Sequence, residues 1–336
     1  MTLFSRLALC GLFFAGAWRA HSQTMQFADA TSGPFTPENM ISNIFLGDGV
    51  EIININYVGD PLAVGYFTDG QTYVGLDRGI VMSTGRVLSV PAGAFGVGGL
   101  GFQFASSALS NAGTFDPVLA GQLPGGNGAL FDLCRYEITF VPISDTLRFR
   151  YVFGSEEYPE YGCSTFNDIF GFFIQGPGFP NWTNIALIPN TTLPVSINNL
   201  HPQNPNNPAC TPLNVQYYIN NNGVNKQPVY DGFTTVLTAE AIVTPCQQYT
   251  IRLAIADVGD PIFDSGVFLE AKSFGTGLLR VNLATPGNSG AVAEGCASGM
   301  LTFSLASPAE ADMALDYNIW GSAVNGVDYE AIPTNL

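Results

Sequence analysis

Histidine is scarce in this sequence, and its scarcity excludes several classes of enzyme. Only two of the 336 residues are histidines, and His21 lies in a segment that we expect to be removed. The other, His201, lies in a loop rich in proline and asparagine, where we expect it to be solvated. A site built from several histidines is therefore excluded, and a Ser-His-Asp or Cys-His mechanism would have to use His201. A Walker-type phosphate-binding motif is also absent from the sequence.

Basic residues are also few, which argues against two classes of partner. The chain has 11 Lys+Arg against 27 Asp+Glu and a net charge of −16. Removing the predicted leader, which holds two basic and no acidic residues, gives 9 − 27 = −18. Nucleic acids and anionic lipids both favour positive charge, so neither is expected as a partner. The 38 Gly, 22 Pro and 25 Phe favour turns and strands over helices.

Long hydrophobic runs are missing except at the N-terminus. The apolar run from Leu7 to Trp18 is too short to span a bilayer, which needs ~20 residues. A basic start and the small residues Ala20 and Ser22 predict a signal peptide over residues 1–22, cleaved after Ser22. We therefore expect a secreted or cell-surface protein whose mature chain does not insert into a membrane.

The rest of the chain predicts an all-β protein. Short apolar or alternating segments separated by turn residues are typical of a sandwich or barrel. One helix is predicted near the start, with Thr36 as its cap, Pro37 in its first turn and Gly47 after its end. The glycine-rich stretch 93–128 is predicted to be a long surface loop. We expect residues 23–276 to form a jelly-roll-like β-sandwich with one short N-terminal helix.

A second β-module is expected over residues 277–336. Its predicted strands are Leu279–Leu283, Leu301–Ala306 and Ala314–Trp320. An immunoglobulin-like module needs about 100 residues. We therefore expect this module to be incomplete, and the chain to be a fragment of a longer protein or a truncated product.

Carboxylates are the remaining candidates for chemistry, and they occur in two segments. Each segment follows a strongly apolar predicted strand, Leu147–Phe153 or Tyr249–Ala256. If those strands run side by side, the two acidic loops meet at one edge of the sandwich. The candidate residues are Glu156, Glu157, Asp168, Asp257, Asp260 and Asp264.

Three interpretations of these carboxylates stay open at this point. Ca²⁺ takes 6–8 oxygen ligands and removes the repulsion among crowded carboxylates, so a calcium site is one interpretation. Turn chemistry, in which Asp and Asn bond their own backbone, is the second. A glycosidase-like carboxyl pair is the third and needs an open cleft. Aromatic residues around the first segment either stack on sugars or pack in the core.

Several motifs resemble the choice-of-anchor L domain of secreted bacterial surface proteins. The resemblance covers residues 35–274 and rests on YVFGSEEYPEY at 151–161, FNDIFGFF at 166–173, GIVMSTG at 79–85, NIALIP at 184–189, AIADVGD at 254–260 and FDSGVFLE at 263–270. It implies a β-sandwich module of a surface protein without established enzymatic activity. The tail, with VAEG at 292–295 and GSAVNGVDY at 321–329, is similar to a Calx-beta-like module. That resemblance implies calcium ligation by Glu294 and Asp328.

The five cysteines that follow the leader suggest a disulfide scheme. In an oxidising compartment such cysteines are disulfide candidates. We hypothesise the pairs Cys134–Cys246, across the sandwich, and Cys163–Cys210, between the acidic loop and the Asn/Pro-rich loop. Cys296 would then be left over.

The function expected from the sequence is non-enzymatic. We expect a calcium-stabilised adhesion or binding module of an exported surface protein, whose partner is an extracellular glycan or a surface protein. The alternative is a carbohydrate-binding or carbohydrate-cleaving protein. It would use Glu156 or Glu157 together with Asp257, Asp260 or Asp264.

Overall fold

The fold is seen in a computed structural model. The structure describes residues 25–88, 109, 115–124, 129–222, 228–276, 326–327 and 331, together with the backbones of 279–284 and 300–305. The predicted signal peptide and its cleavage site lie outside these residues.

Two antiparallel sheets form the main body of the molecule. The larger sheet has the order β1 (Gln26–Asp29), β3 (Val64–Thr68), β4 (Gly79–Ser83), β13 (Ser265–Glu270), β6 (Thr146–Ser155), β10 (Gly232–Thr234) and β9 (Tyr218–Asn220), with β11 (Leu237–Ile242) also paired to β6. The smaller sheet has the order β2 (Val50–Val58), β5 (Leu130–Pro142), β12 (Tyr249–Val258), β7 (Ile169–Gly176) and β8 (Phe179–Asn184). The predicted all-β sandwich is confirmed.

Aromatic side chains fill the space between the sheets. Strands with alternating apolar residues place one face inward, and rings from β6 and β7 meet there. The centroids of Phe149 and Phe172 are 4.3 Å apart and those of Tyr151 and Phe172 are 5.2 Å apart. Both pairs have the edge-to-face geometry that aromatic rings favour. Tyr151, Phe153, Phe170, Phe172 and Phe173 are buried, so these rings belong to the core and are not available for stacking on sugars.

The N-terminal helix is confirmed, and the described residues contain two further short helices that were not predicted. Helix α1 (Pro37–Met40) is capped by Thr36 and continues into a π-helical turn, Ile41–Phe45. Helices α2 (Gln71–Val74) and α3 (Pro117–Ala120) are one turn each. Helix α3 lies within the glycine-rich stretch predicted to be a surface loop, yet Leu119 is fully buried against the smaller sheet.

Asp116 explains why α3 is fixed on the sheet. Its carboxylate caps the helix and also pairs with Arg135 and Arg252 at 3.1 Å each. The Arg252 guanidinium in turn lies 4.5 Å from the centroid of the Trp182 ring. A buried acid with two cationic partners and two backbone donors holds the helix in one position.

One predicted disulfide is present and the other is wrong. Cys163 and Cys210 are bonded, with Cα atoms 5.8 Å apart. Cys134 and Cys246 are free thiols. The N–H of Cys246 donates to the carbonyl of Pro142, eight residues along β5 from Cys134. At ~3.4 Å per residue this separates the two thiols by roughly 27 Å, far beyond bonding reach.

The segment after the sandwich is described only in part. Strands β14 (Leu279–Ala284) and β15 (Met300–Leu305) pair antiparallel. The third predicted strand of this module lies outside the described residues, as do Glu294, Cys296 and most of the segment around Asp328, including Asp328 itself.

Candidate functional site

The two acidic loops meet at one end of the sandwich, but not for the reason expected from the sequence. The strands that precede them, β6 and β12, lie in opposite sheets and are not side by side. The loops converge because the chain crosses from β12 to β13, which pairs directly with β6. The N–H of Glu156 donates to the carbonyl of Asp264 at 3.1 Å and joins the two loops.

Most of the predicted site residues are gathered here, and five of the six are buried. Asp257 is 0% exposed, Asp168 and Asp264 are each 1% exposed, and Glu157 and Glu156 are 3% and 6% exposed. Asp260 is half-buried. We call these six residues the acidic site.

Gly259 shapes the loop that carries Asp260 and Asp264. Its φ is +106°, a conformation that residues with a side chain rarely adopt. A Cβ atom at this position would lie 2.9 Å from the ring of Phe166. The turn after β12 therefore depends on glycine both for its backbone conformation and for the packing of the first loop against it.

Asp168 ties both loops together through its carboxylate. Its Oδ1 accepts a hydrogen bond from the N–H of Val258 at 3.0 Å, and its Oδ2 accepts one from the hydroxyl of Ser265 at 2.6 Å. The Ser265 hydroxyl also lies 2.8 Å from Ser155 Oγ, which accepts from the N–H of Glu157 at 2.9 Å. This hydrogen-bond network holds Asp168 and the two acidic loops in position.

Asp257 differs from Asp168, because its carboxyl group has no ion pair and no well-formed hydrogen bond in the described residues. Within the described residues, neither carboxylate oxygen has a hydrogen-bond partner of good geometry, and the same holds for Oε2 of Glu157. Burial raises the pKa of Asp257, the nearby carboxylates of Asp168 and Asp264 raise it further, and an interaction with the Thr84 hydroxyl opposes the increase. A buried carboxylate in this state is costly unless it binds a proton or a cation.

The pKa values of three carboxyl groups are raised in the same direction. Burial raises the pKa of Glu157 to about 9, with further increases from Asp168, Asp260 and Glu160. Burial raises the pKa of Asp168 to about 7, although hydrogen bonds with Ser265, Val258 and the carboxyl group of Asp257 oppose the increase. The pKa of Asp257 is raised well above its ordinary value. Raised pKa values in this group favour a bound proton or a bound cation over isolated carboxylates.

The spacing of the carboxylates limits how a metal ion can be held. Among the described residues, the one group of three His, Cys, Asp or Glu side chains with ligand atoms all within 4.8 Å of one another is Cys163, His201 and Cys210. No three carboxylates of the acidic site satisfy that distance as they stand. A cation there would bind two carboxylates together with hydroxyl or backbone oxygens, or would draw a third carboxylate in. Ca²⁺ accepts such mixed and flexible oxygen shells.

Other polar residues of this region were not found from the sequence. Asp132 is 5% exposed and adopts φ = 48°, and its carboxylate raises the pKa of Asp257. Burial raises the pKa of Asp132 itself to about 7. Asp132 lies in β5 opposite Ala256 of β12, at the point where the register between the two strands shifts. Ser155, Ser265 and Thr84 were also missed, since single hydroxyl residues at strand ends give no distinctive pattern.

The structure corrects the environment expected for His201. This side chain is 1% exposed and packs against the Cys163–Cys210 disulfide, so it is not solvated. Asn204 explains the burial, because its side chain donates to the carbonyls of Glu160 and Gly162 and draws the Asn/Pro-rich loop onto the acidic loop.

A cavity of about 270 Å³ lies on the larger sheet, away from the acidic site. Ile44, Tyr66 and Phe67 contribute apolar and aromatic surface, and Arg78 and Lys272 contribute positive charge. Two cations around one cavity stand out in a chain with 11 Lys+Arg in total. The cavity therefore combines aromatic surface with positive charge.

The fold and the site together define an all-β sandwich domain with a buried acidic site at one end. The chain belongs to the choice-of-anchor L domain family, whose model matches residues 29–275. Comparison with curated proteins and with solved structures gives no match. Membership in this family indicates a surface-associated or secreted protein. In the part of the chain that the structure describes, no helix combines the length and apolar character required to cross a bilayer.

Proposed function

We propose that this chain is a non-enzymatic binding or adhesion module of an exported surface protein, stabilised by Ca²⁺ at the acidic site. The observation that carries the proposal is the Asp257 carboxylate, which is fully buried beside two other carboxylates with neither oxygen in a good hydrogen bond. A divalent cation compensates several such charges at once.

The chemistry of the available ligands supports Ca²⁺ over softer metals. The acidic site offers carboxylates, the hydroxyls of Ser155, Ser265 and Thr84, and backbone carbonyls, all of which are hard oxygen donors. Ca²⁺ binds 6–8 such oxygens at 2.3–2.6 Å and tolerates irregular geometry, whereas Mg²⁺ demands a near-ideal octahedron. The match to a carboxylate-rich shell with few nitrogen or sulfur donors favours a hard cation.

The burial of the carboxylates weighs against the carbohydrate-cleaving alternative. A glycosidase needs its two carboxyl groups on either side of an open cleft that admits the sugar. Glu156, Glu157, Asp257 and Asp264 are all at least nine-tenths buried, and the aromatic rings of this region largely belong to the core. We therefore propose a structural role for these residues and a binding role for other parts of the surface.

The partner in this proposal is an extracellular glycan or surface protein that presents an anionic group to one basic patch, although the chain as a whole is acidic. The cavity with Tyr66, Arg78 and Lys272 supports this choice, because it combines an aromatic ring with two cations. Binding of acidic glycans on an array, without release of shorter products, is the expected result. Arg78→Ala should weaken that binding, whereas the exposed acidic residue Asp77 can be changed to Asn without loss. Equal binding by Arg78→Ala would contradict this assignment of the binding surface.

The cation is tested by thermal unfolding in EDTA and in millimolar CaCl₂. At a Ca²⁺ concentration of 100 times Kd the expected stabilisation is about 2.7 kcal/mol. For a domain of this size it corresponds to a rise in Tm of about 5–10 °C. Glu157→Gln should remove most of that rise, and Asp77→Asn should leave it intact. An unchanged Tm in CaCl₂, or an undiminished rise in Glu157→Gln, would show that the site is not a calcium site.

A further inference from the structure

The Cys163–Cys210 disulfide has an imidazole beside both of its sulfur atoms. His201 Nε2 lies 3.8 Å from Cys163 Sγ and 3.9 Å from Cys210 Sγ. Gly162 makes this approach possible, since a Cβ atom there would lie 2.8 Å from His201 Nδ1. His201 Nδ1 also lies 3.8 Å from Cys210 Sγ. The disulfide and the imidazole ring are therefore in contact, and His201 and Cys210 are almost completely buried.

The hydrogen bonding of His201 fixes which ring nitrogen is available. His201 Nδ1 lies 2.8 Å from the backbone carbonyl of Pro202. A carbonyl oxygen only accepts, so Nδ1 carries the proton and Nε2 keeps the lone pair. Cys210 Sγ lies 3.8 Å from Nδ1 and 3.9 Å from Nε2, so that lone pair is not yet aimed at Cys210. Metal-binding histidines commonly donate their second N–H to a backbone carbonyl in this way, which sets the tautomer and the orientation of the ring.

Two of the three donor–donor distances fit a tetrahedral soft-metal shell. With Zn–S of about 2.3 Å and Zn–N of about 2.05 Å, a tetrahedron places sulfur and nitrogen about 3.6 Å apart and two sulfurs about 3.8 Å apart. The nitrogen is already within about 0.3 Å of its required distance from both sulfurs. The sulfur–sulfur distance must increase, by rotation of a cysteine side chain once the disulfide is opened, and the imidazole must turn its Nε2 toward Cys210 Sγ.

The surrounding loops are held together independently of the disulfide. Asn204 Nδ2 donates to Glu160 O at 2.7 Å and to Gly162 O at 2.8 Å. The backbones of His201 and Leu213 exchange two hydrogen bonds of 3.0 Å. Cys163 is exposed, so a reductant can reach its sulfur and a water molecule can complete the metal shell.

We propose that Cys163, His201 and Cys210 form a Zn²⁺ site when the disulfide is reduced. Two molecules of a small thiol reduce the disulfide to two cysteine thiols and become one disulfide themselves. Zn²⁺ then binds both sulfurs and His201 Nε2, and the two thiol protons are released to water. The Zn²⁺ site uses no residue of the acidic site, so either proposal can fail without affecting the other.

The test uses Co²⁺ as a spectroscopic probe of the protein reduced with a phosphine. The reduced protein should bind one equivalent of Co²⁺ with a thiolate-to-cobalt charge-transfer band, and Zn²⁺ should displace it. The oxidised protein should show no band. His201→Gln should weaken Zn²⁺ binding by at least tenfold, and Cys163→Ser should abolish the band.

Cys246→Ser is the matched control, because Cys246 is an exposed free thiol outside the site. It should behave as the wild type does. The proposal is overturned if the reduced protein gives no thiolate band, or if the band survives in Cys163→Ser, which would assign it to the other cysteines. Loss of the β-sheet circular dichroism on reduction without recovery on adding Zn²⁺ would also overturn it.

Discussion

Replacing Asp257 by asparagine should have effects of opposite sign with and without calcium. In EDTA, the folded protein must hold the buried Asp257 carboxyl group either with a bound proton or with an uncompensated charge. Asparagine has nearly the same shape, carries no charge and can donate to a neighbouring carboxylate. We therefore expect Asp257→Asn to stabilise the metal-free protein at alkaline pH. In CaCl₂ the same change removes a ligand and should reduce the gain in stability.

The magnitude follows from proton linkage. The folded-state pKa of Asp257 is raised, so the folded state binds more protons than the unfolded state. Its contribution to stability is complete below the unfolded pKa of about 3.9 and is lost as the pH rises through the folded pKa. Each carboxyl group that is protonated in the folded state and ionised in the unfolded state lowers the free energy of unfolding by about 1.4 kcal/mol for each pH unit of that window. Asp168 and Glu157, with pKa values of about 7 and about 9, extend the loss toward pH 9.

Urea denaturation in EDTA measures this loss directly. Between about pH 5.5 and pH 8.5 the wild type should lose several kcal/mol, and Asp257→Asn should lose about 1.4 kcal/mol less for each pH unit in which Asp257 is protonated. Asp77→Asn, at an exposed position, should follow the wild type. Parallel pH profiles for wild type and Asp257→Asn would refute the reasoning, because Asp257 would then have an ordinary pKa in the fold.

Three further predictions concern other parts of the sandwich. Gly259→Ala should lower the free energy of unfolding, measured by urea denaturation, by about 2–4 kcal/mol, because backbone strain and a contact with the Phe166 ring act together. The control Gly178→Ala, with φ = 83° and open space around the new Cβ, should lower it by about 1–2 kcal/mol. Equal losses for the two variants would contradict this prediction. Asp116→Asn should cost about 3 kcal/mol, since two arginines lose a buried partner; a loss below about 1 kcal/mol would show that the network is dispensable. Maleimide should label Cys246 in the native protein and Cys134 only after unfolding, because Cys134 is buried and its thiol pKa is raised to about 12. Peptide mapping that finds both cysteines labelled in the native protein would contradict this prediction.

The sequence was a good guide to local structure and a poor guide to which strands are neighbours. The α1 cap at Thr36 and the β-pattern depend on local spacing, and both are confirmed. The convergence of the acidic loops was also foreseen, although β6 and β12 turned out to lie in opposite sheets. Strand order depends on long-range pairing, which a single sequence does not encode in any simple pattern.

The environment of individual side chains was harder to anticipate for the same reason. His201 is buried because Asn204 bonds two carbonyls more than 40 residues away in the chain. Helix α3 is fixed because Asp116 meets Arg252, which lies 136 residues away in sequence. Neither contact has a local signal, so composition alone suggested a solvated loop in both cases.

The path of the chain gives the sandwich a direction. Gly275 bridges to Arg148 near the start of β6, and the N–H of Thr276 donates to the carbonyl of Asp48. The acidic site lies beyond Ser155, at the other end of β6, seven residues or roughly 23 Å away. The polypeptide therefore leaves the sandwich at the end opposite the acidic site. A domain tethered through Thr276 would carry the loops of that site at its free end, where they face away from the point of attachment.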